Sequence, residues 1–169
     1  MDPQYPIGRF GPEAQVSRAE AMAQIAALPQ QVRSLASGMS AKQLDSPYRD
    51  GGWTARQVIH HLADSHMHAL IRFRLALTED RPLIKPFNQQ KWAELEDACR
   101  GPIEPSLQIL DGLHQRWAAL LHTMSPADFE RKFLHPERGE VALGDMLQLY
   151  AWHGRHHLAH LELCAKMGA

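Results

Sequence analysis

Apolar residues recur at three- and four-residue intervals through four long stretches of this chain, and that period admits little besides α-helices. The first stretch runs from Glu13 to about Met39 and carries Val16, Ala19, Met22, Ile25, Ala26, Val32, Leu35 and Ala36; Pro29 is expected to kink or interrupt it. The second opens at Thr54-Ala55-Arg56-Gln57, a capping box with threonine as N-cap and glutamine three residues on, and should end near Glu79, before Pro82. Its inward stripe is Val58, His61, Leu62, Ser65, Ala69, Phe73 and Ala76. The third spans Pro105 to Thr123 with Leu107, Leu110, Leu113, Trp117 and Leu120/Leu121, and the fourth runs from about Gly144 to Lys166. Four such helices predict an all-α four-helix bundle. The connections over 80–104 and 124–143 are long for a compact domain, and connections of that kind allow neighbouring helices to run parallel. The longer one should hold a short helix after the cap Asn88, with Trp92 and Leu95 facing inward. Ser125-Pro126 should open another short helix, and 133–143 a turn or small hairpin.

Charge and length narrow the classes. The 169 residues suit a single domain covering 1–169. Eighteen Lys and Arg against nineteen Asp and Glu give no electrostatic case for nucleic acid or an anionic membrane. No apolar run approaches the ~20 residues of a membrane span. The start has neither the basic head nor the apolar stretch of a secretory signal, and two cysteines are too few for a disulfide scaffold; a reducing cytoplasm is the expected compartment.

The histidines are the anomaly. Of 11, eight fall in the windows 60–68 and 153–160. The second window holds two overlapping His-x-x-x-His pairs, His153/His157 and His156/His160. Residues four apart share a helix face, so two imidazoles can grip one ion. The glutamate of the protease version is replaced by Gly154, so the pair needs a third ligand from elsewhere. His61, on the inward stripe of the second helix, is the candidate; His60 and His68 lie off that stripe. With Leu147, Tyr150, Leu158 and Leu161 inward, His157 joins the stripe and His153 sits beside it. His156 then falls on the opposite face and His160 is borderline, so the spacing prefers His153/His157. The bland alternative is two helices that tolerate histidine on wet faces. His66, His68, His114 and His122 are expected to be surface or packing residues.

Other candidates have ordinary explanations beside functional ones. Asp64, three residues after His61, could serve as a base or support a ligand; a solvent-facing charge or a surface pair on the second helix is the preferred reading. Tyr48, Arg49 and Trp53 could line the mouth of a site or fix their loop against the bundle. Arg72 could meet an anionic substrate or pair with a neighbouring helix. Trp92 and Trp117 are expected in the core, and Cys164 as a buried small hydrophobe.

The block Tyr48-Arg49-Asp50-Gly51-Gly52-Trp53-Thr54-Ala55-Arg56-Gln57-Val58-Ile59-His60-His61-Leu62-Ala63-Asp64-Ser65-His66-Met67 resembles the signature of the YfiT group of the DinB-like superfamily. Tyr5-Pro6-Ile7-Gly8, Ile71-Arg72-Phe73, His135-Pro136 and the run from Tyr150 to His160 extend the likeness over nearly the whole chain; Gly154 and Arg155 are loosely matched. The resemblance implies a metal-binding bundle of up-down-down-up topology that forms a homodimer. It implies one divalent transition metal per chain, nickel or zinc, on three histidines that correspond here to His61, His153 and His157. The group is commonly labelled metal-dependent hydrolase, and relatives in the superfamily are S-transferases acting with bacillithiol, mycothiol or glutathione.

These strands give ranked expectations. The first is a metal-dependent transferase joining a low-molecular-weight thiol to an electrophile. The second is a hydrolase using a metal-activated water, for which Asp64 is the one acid/base that offers itself. The third is a non-catalytic metal or small-molecule binding module. Three neutral imidazoles suit zinc, nickel, iron and copper alike, so the donor set does not name the ion.

Overall fold

The computed structural model describes residues 2–167. A short 3-10 turn at Pro12–Ala14 precedes α1 (Arg18–Ser37); α2 (Ala41–Leu44), α3 (Ala55–Thr78), α4 (Gln89–Ala93), α5 (Glu96–Arg100) and α6 (Glu104–Thr123) follow. A second 3-10 turn at Asp128–Glu130, a hairpin of β1 (Lys132–His135) and β2 (Gly139–Ala142), and α7 (Leu143–Lys166) complete the chain. The hairpin is antiparallel with Phe133 opposite Val141.

Local chemistry explains most boundaries. The Thr54 side chain accepts the Gln57 backbone N–H while the Gln57 side chain accepts the Thr54 N–H, so both arms of the capping box start α3 where expected. Ser17, whose side chain accepts from the Glu20 N–H, starts α1 five residues later than the apolar period suggests. The expected break at Pro29 does not occur: α1 is one helix through it, and Pro29 is buried. The missing hydrogen bond at a mid-helix proline costs roughly 3 kcal/mol. Packing of α1 on α6 and α7 along its length offsets that cost.

Two apolar clusters lie at opposite ends of the bundle. One gathers Ala21 and Ile25 of α1, Ala69 and Phe73 of α3, Trp117 and Leu121 of α6, and Leu147 and Tyr150 of α7. The other gathers Leu28 and Val32, Val58 and Leu62, Leu107 and Leu110, and Leu161 and Cys164 from the same four helices. Chain direction follows from the order in which each helix visits them. α1 and α7 run from the first cluster to the second; α3 and α6 run from the second to the first. The bundle is therefore up-down-down-up, with α3 and α6 parallel, and the connection over 79–103 is the crossover that returns the chain to the same end. Gly154 lets α7 approach α1 closely, since a Cβ there would meet Leu28 Cδ2 at 3.0 Å.

The inward stripe of α3 is as the period predicts: Val58, His61, Leu62, Ser65, Ala69, Phe73 and Ala76 are all buried. The connection differs. Trp92 is 37% and Leu95 54% exposed, and Ala93 and Ala98 are the buried residues of α4 and α5. These short helices pack against α3. Trp92 instead packs on Phe87 and His68, with ring centroids at 4.9 and 5.3 Å.

Candidate metal centre

Between the two apolar clusters three of the four long helices change character. α3 passes through His61 and His66, α6 through His114, and α7 through His153, His156, His157 and His160. The result is a layer of imidazoles across the middle of the bundle. His61, His66, His114, His156, His157 and His160 are all buried, and His153 is partly open.

Three of these rings converge. One nitrogen from each of His61, His153 and His157 lies within 4.8 Å of the other two, the tightest approach being 3.2 Å between His61 Nε2 and His153 Nε2. Two nitrogens about 2.0–2.1 Å from one ion are separated by about 3.0 Å at right angles and about 3.4 Å at the tetrahedral angle, so the His61–His153 spacing fits a shared cation. Burial, reinforced by the neighbouring imidazoles, pulls His61 down to about 3 and holds His153 and His157 well below the ordinary histidine value. All three are therefore neutral at pH 7, the form in which imidazole binds metal. The donor chemistry, the spacing and the protonation state agree.

The second pair on α7 does something else. His160 stacks on Tyr48 with ring centroids 3.8 Å apart, and its Nδ1 lies 3.3 Å from His157 Nδ1. His156 stacks on Trp152 at 4.5 Å and meets Tyr5 at 6.0 Å. The expectation that His156 faces away from the packed interior fails, because the N-terminal segment and the loop before α3 cover that side of α7. Helical period reports a face; it says nothing of what lies over it.

A cleft of about 460 Å³ opens over the three histidines. Tyr48, Arg49 and Trp53 line it, and the Trp53 ring sits 4.7 Å from that of His61 and is stacked 6.4 Å from that of His157. Arg138 and Trp152 line it from the other side. An adjoining cavity, also about 460 Å³, shares His153, Trp152 and Arg138 with the cleft and reaches Arg72, Ser65 and Tyr150. Arg72 and Arg49 each hold a buried Nε with no hydrogen-bond partner among the described residues. Among the described residues no aspartate or glutamate lines the cleft itself, and Glu137 is the one carboxylate at the adjoining cavity.

Asp64 does not line the cleft; burial, with the nearby Asp97, raises its pKa, and it lies toward Asp97 and His68. Cys164 is fully buried, and that burial pushes its thiol up to about 11, so it packs rather than reacts. His122 is exposed and His68 packs on Phe87.

His66 and His114 hold more than packing positions. His66 Nε2 lies 3.2 Å from His153 Nδ1, His66 Nδ1 lies 3.0 Å from His114 Nε2, and His114 Nδ1 donates to the Ile25 carbonyl at 2.6 Å. The sequence held a signal for both. His66 comes four residues after Leu62 and seven before Phe73. His114 comes four after Leu110 and three before Trp117. Each lies at core spacing, and polar residues at core spacing need partners.

Comparison with known proteins gives consistent results. A family model described as the DinB superfamily matches residues 24–161. A relative from Oceanobacillus iheyensis is 48% identical over 170 residues, covering 98% of both chains. One from Geobacillus kaustophilus is 50% identical over 172 residues, covering 98% of this chain and 96% of its own. Both carry the name "Putative metal-dependent hydrolase". Among solved structures, YfiT from Bacillus subtilis matches with a TM-score of 0.92 at 43% identity over 99% of each chain. It is described as "a probable metal-dependent hydrolase with an unusual four-helix bundle topology".

Proposed function

This chain belongs to the DinB superfamily, and from that membership and its three-histidine cleft we propose that it is a metal-dependent S-transferase. It would join a low-molecular-weight thiol of the bacillithiol kind to an electrophile. A divalent transition metal, nickel or zinc in the first instance, held by His61, His153 and His157 would supply a Lewis-acid position that lowers the pKa of a thiol or a water.

The observation that carries the transferase reading is the lining of the cleft. Hydrolysis calls for a general base within hydrogen-bond reach of the attacking water. Among the described residues no carboxylate lines the cleft, Asp64 included, and the two imidazoles there outside the ligand set, His156 and His160, are stacked on Trp152 and Tyr48. A thiol substrate brings its own nucleophile and asks the protein for recognition. Arg49 and Arg138 provide it, as cations able to bind a carboxylate of the thiol. Trp53 and Tyr48 wall the cleft and limit water beside the reacting sulfur. In the transfer the thiol proton leaves to solvent, sulfur forms a bond to the electrophilic carbon, and the leaving group departs with its bonding pair.

Hydrolysis is the second reading, favoured by the names of the relatives and by the same open position over the histidines. A non-catalytic metal or small-molecule binding module is the third. We further propose a homodimer in the cytoplasm; no described helix is long and apolar enough to cross a membrane.

The test is a fluorescence assay with metal-loaded protein, monochlorobimane as electrophile, and bacillithiol, mycothiol or glutathione in turn. Transfer predicts protein-dependent conjugate formation with at least one thiol, with chloride leaving, and its loss in His157→Ala. No acceleration with any of the three ends the transferase reading. Turnover of an ester or amide panel by the same preparation would then establish hydrolysis.

A further inference from the structure

We infer that the backbone carbonyl of Ile25, acting through His114 and His66, fixes which nitrogen of His153 carries its proton and leaves Nε2 as the acceptor that faces His61. The inference rests on the metal reading above only for its consequence; the hydrogen-bond argument is independent of it.

A carbonyl oxygen can only accept. The contact from His114 Nδ1 to Ile25 O, at 2.6 Å, therefore puts a proton on Nδ1. A neutral imidazole has one N–H, so His114 Nε2 is a lone pair and must accept. Its partner, His66 Nδ1 at 3.0 Å, is then the donor. The same step repeats: His66 Nε2 accepts, and its partner at 3.2 Å, His153 Nδ1, donates. His153 Nε2 is thereby a lone pair, pointed at His61 Nε2 3.2 Å away.

Neutrality along this chain has independent support. His66 is fully buried and His114 is 1% exposed. Among the described residues no carboxylate hydrogen-bonds to either. The reverse direction would aim a lone pair of His114 at the lone pairs of the carbonyl. The rings are also held in place: His66 meets Tyr150 edge-on at 5.0 Å and Trp117 at 5.9 Å. Nδ1–H is the less populated tautomer of a free histidine in water, so three in a row is a state the fold must impose.

His66 and His114 are thus positioning residues. Metal-ligating histidines are ordinarily oriented by a hydrogen bond from the ring nitrogen that does not bind. Here that bond is passed through two further imidazoles and anchored on α1. A change at His114, two rings away from the cleft, should be felt by the ion.

Histidine labelled with 15N, in the metal-free protein near pH 7.5, tests the chain directly by long-range 1H–15N correlation. His66, His114 and His153 should all show a protonated Nδ1 and a bare Nε2. A protonated Nε2 on any of them overturns the inference. Zinc affinity, measured against a chromophoric chelator, tests its consequence. His114→Leu should weaken zinc binding by about 10–100-fold. His114→Gln, whose amide keeps one acceptor and one donor, should restore most of that loss, and the exposed His122→Ala should change nothing. A folded His114→Leu that binds zinc as tightly as the parent also overturns the inference. A parent that binds no zinc would sink the metal reading alone, since the tautomers are read without metal and still decide the chain.

Discussion

His61 on α3 and His153 on α7 bring their Nε2 atoms within 3.2 Å across 92 positions of sequence. With His153 Nε2 a lone pair, the contact is a hydrogen bond when His61 Nε2 carries its proton, and that proton must leave before both nitrogens can bind one ion. The pair is therefore the place in the layer where ion binding would displace a proton.

Removal of any one donor should remove the ion. His61→Ala, His153→Ala and His157→Ala are each expected to lose stoichiometric metal, with affinity falling by more than the roughly 10–100-fold typical of residues behind the ligands. Elemental analysis of protein purified without an affinity tag measures this. His156→Ala, outside the converging set, should keep its metal; a His157→Ala protein that also keeps it would break the ligand assignment.

Acid should destabilise the metal-free protein in a definite window. Burial lowers His114, His156 and His160 from 6.5 to about 4 and His61 to about 3. Below 6.5 the unfolded chain binds protons that the folded chain refuses, so stability is whole above about pH 6.5 and falls as pH drops toward 4. Each such group loses up to about 1.4 kcal/mol per pH unit in that range. Urea midpoints at pH 7.5, 6 and 5 should fall monotonically. A midpoint unchanged from pH 7.5 to 5 would mean that the histidine layer is wet and free to ionise.

Gly154 sets the spacing of α1 and α7 beside the ligands. A Cβ there would lie 3.0 and 3.2 Å from the two methyls of Leu28, whose side chain can yield a few tenths of an ångström. Gly154→Ala gains about 1 kcal/mol of helix propensity and should come out within about 1 kcal/mol of the parent. Gly154→Leu should cost about 1–3 kcal/mol through overpacking. Chemical denaturation checks both, and a Gly154→Leu protein as stable as the parent would show that the helices are free to separate.

If the cleft recognises an anionic thiol, Arg49→Gln and Arg138→Gln should each raise KM by about tenfold, the loss of one charge-assisted hydrogen bond, with kcat nearly unchanged. Steady-state kinetics in the bimane assay separates the two. A KM that does not move in either variant would remove the anion from the reading.

Much of this molecule is written in local spacing. The 3.6-residue period drew all four long helices, Thr54 and Gln57 marked the start of α3 to the residue, and the α7 spacing together with the α3 stripe singled out His61, His153 and His157, which the fold brings together. Those features depend on neighbours within a turn or two of helix, and sequence order carries them. What sequence order could not carry is the identity of whatever lies across from a side chain. His156 lost its solvent to Tyr5, Trp92 settled at the surface against Phe87 and His68, and Pro29 stayed helical. His66 and His114 joined into one chain with Ile25 only because α1, α3 and α6 meet at the level of α7 where His153 stands. Period fixes the direction in which a side chain leaves its helix; packing of distant helices alone decides which atom it meets.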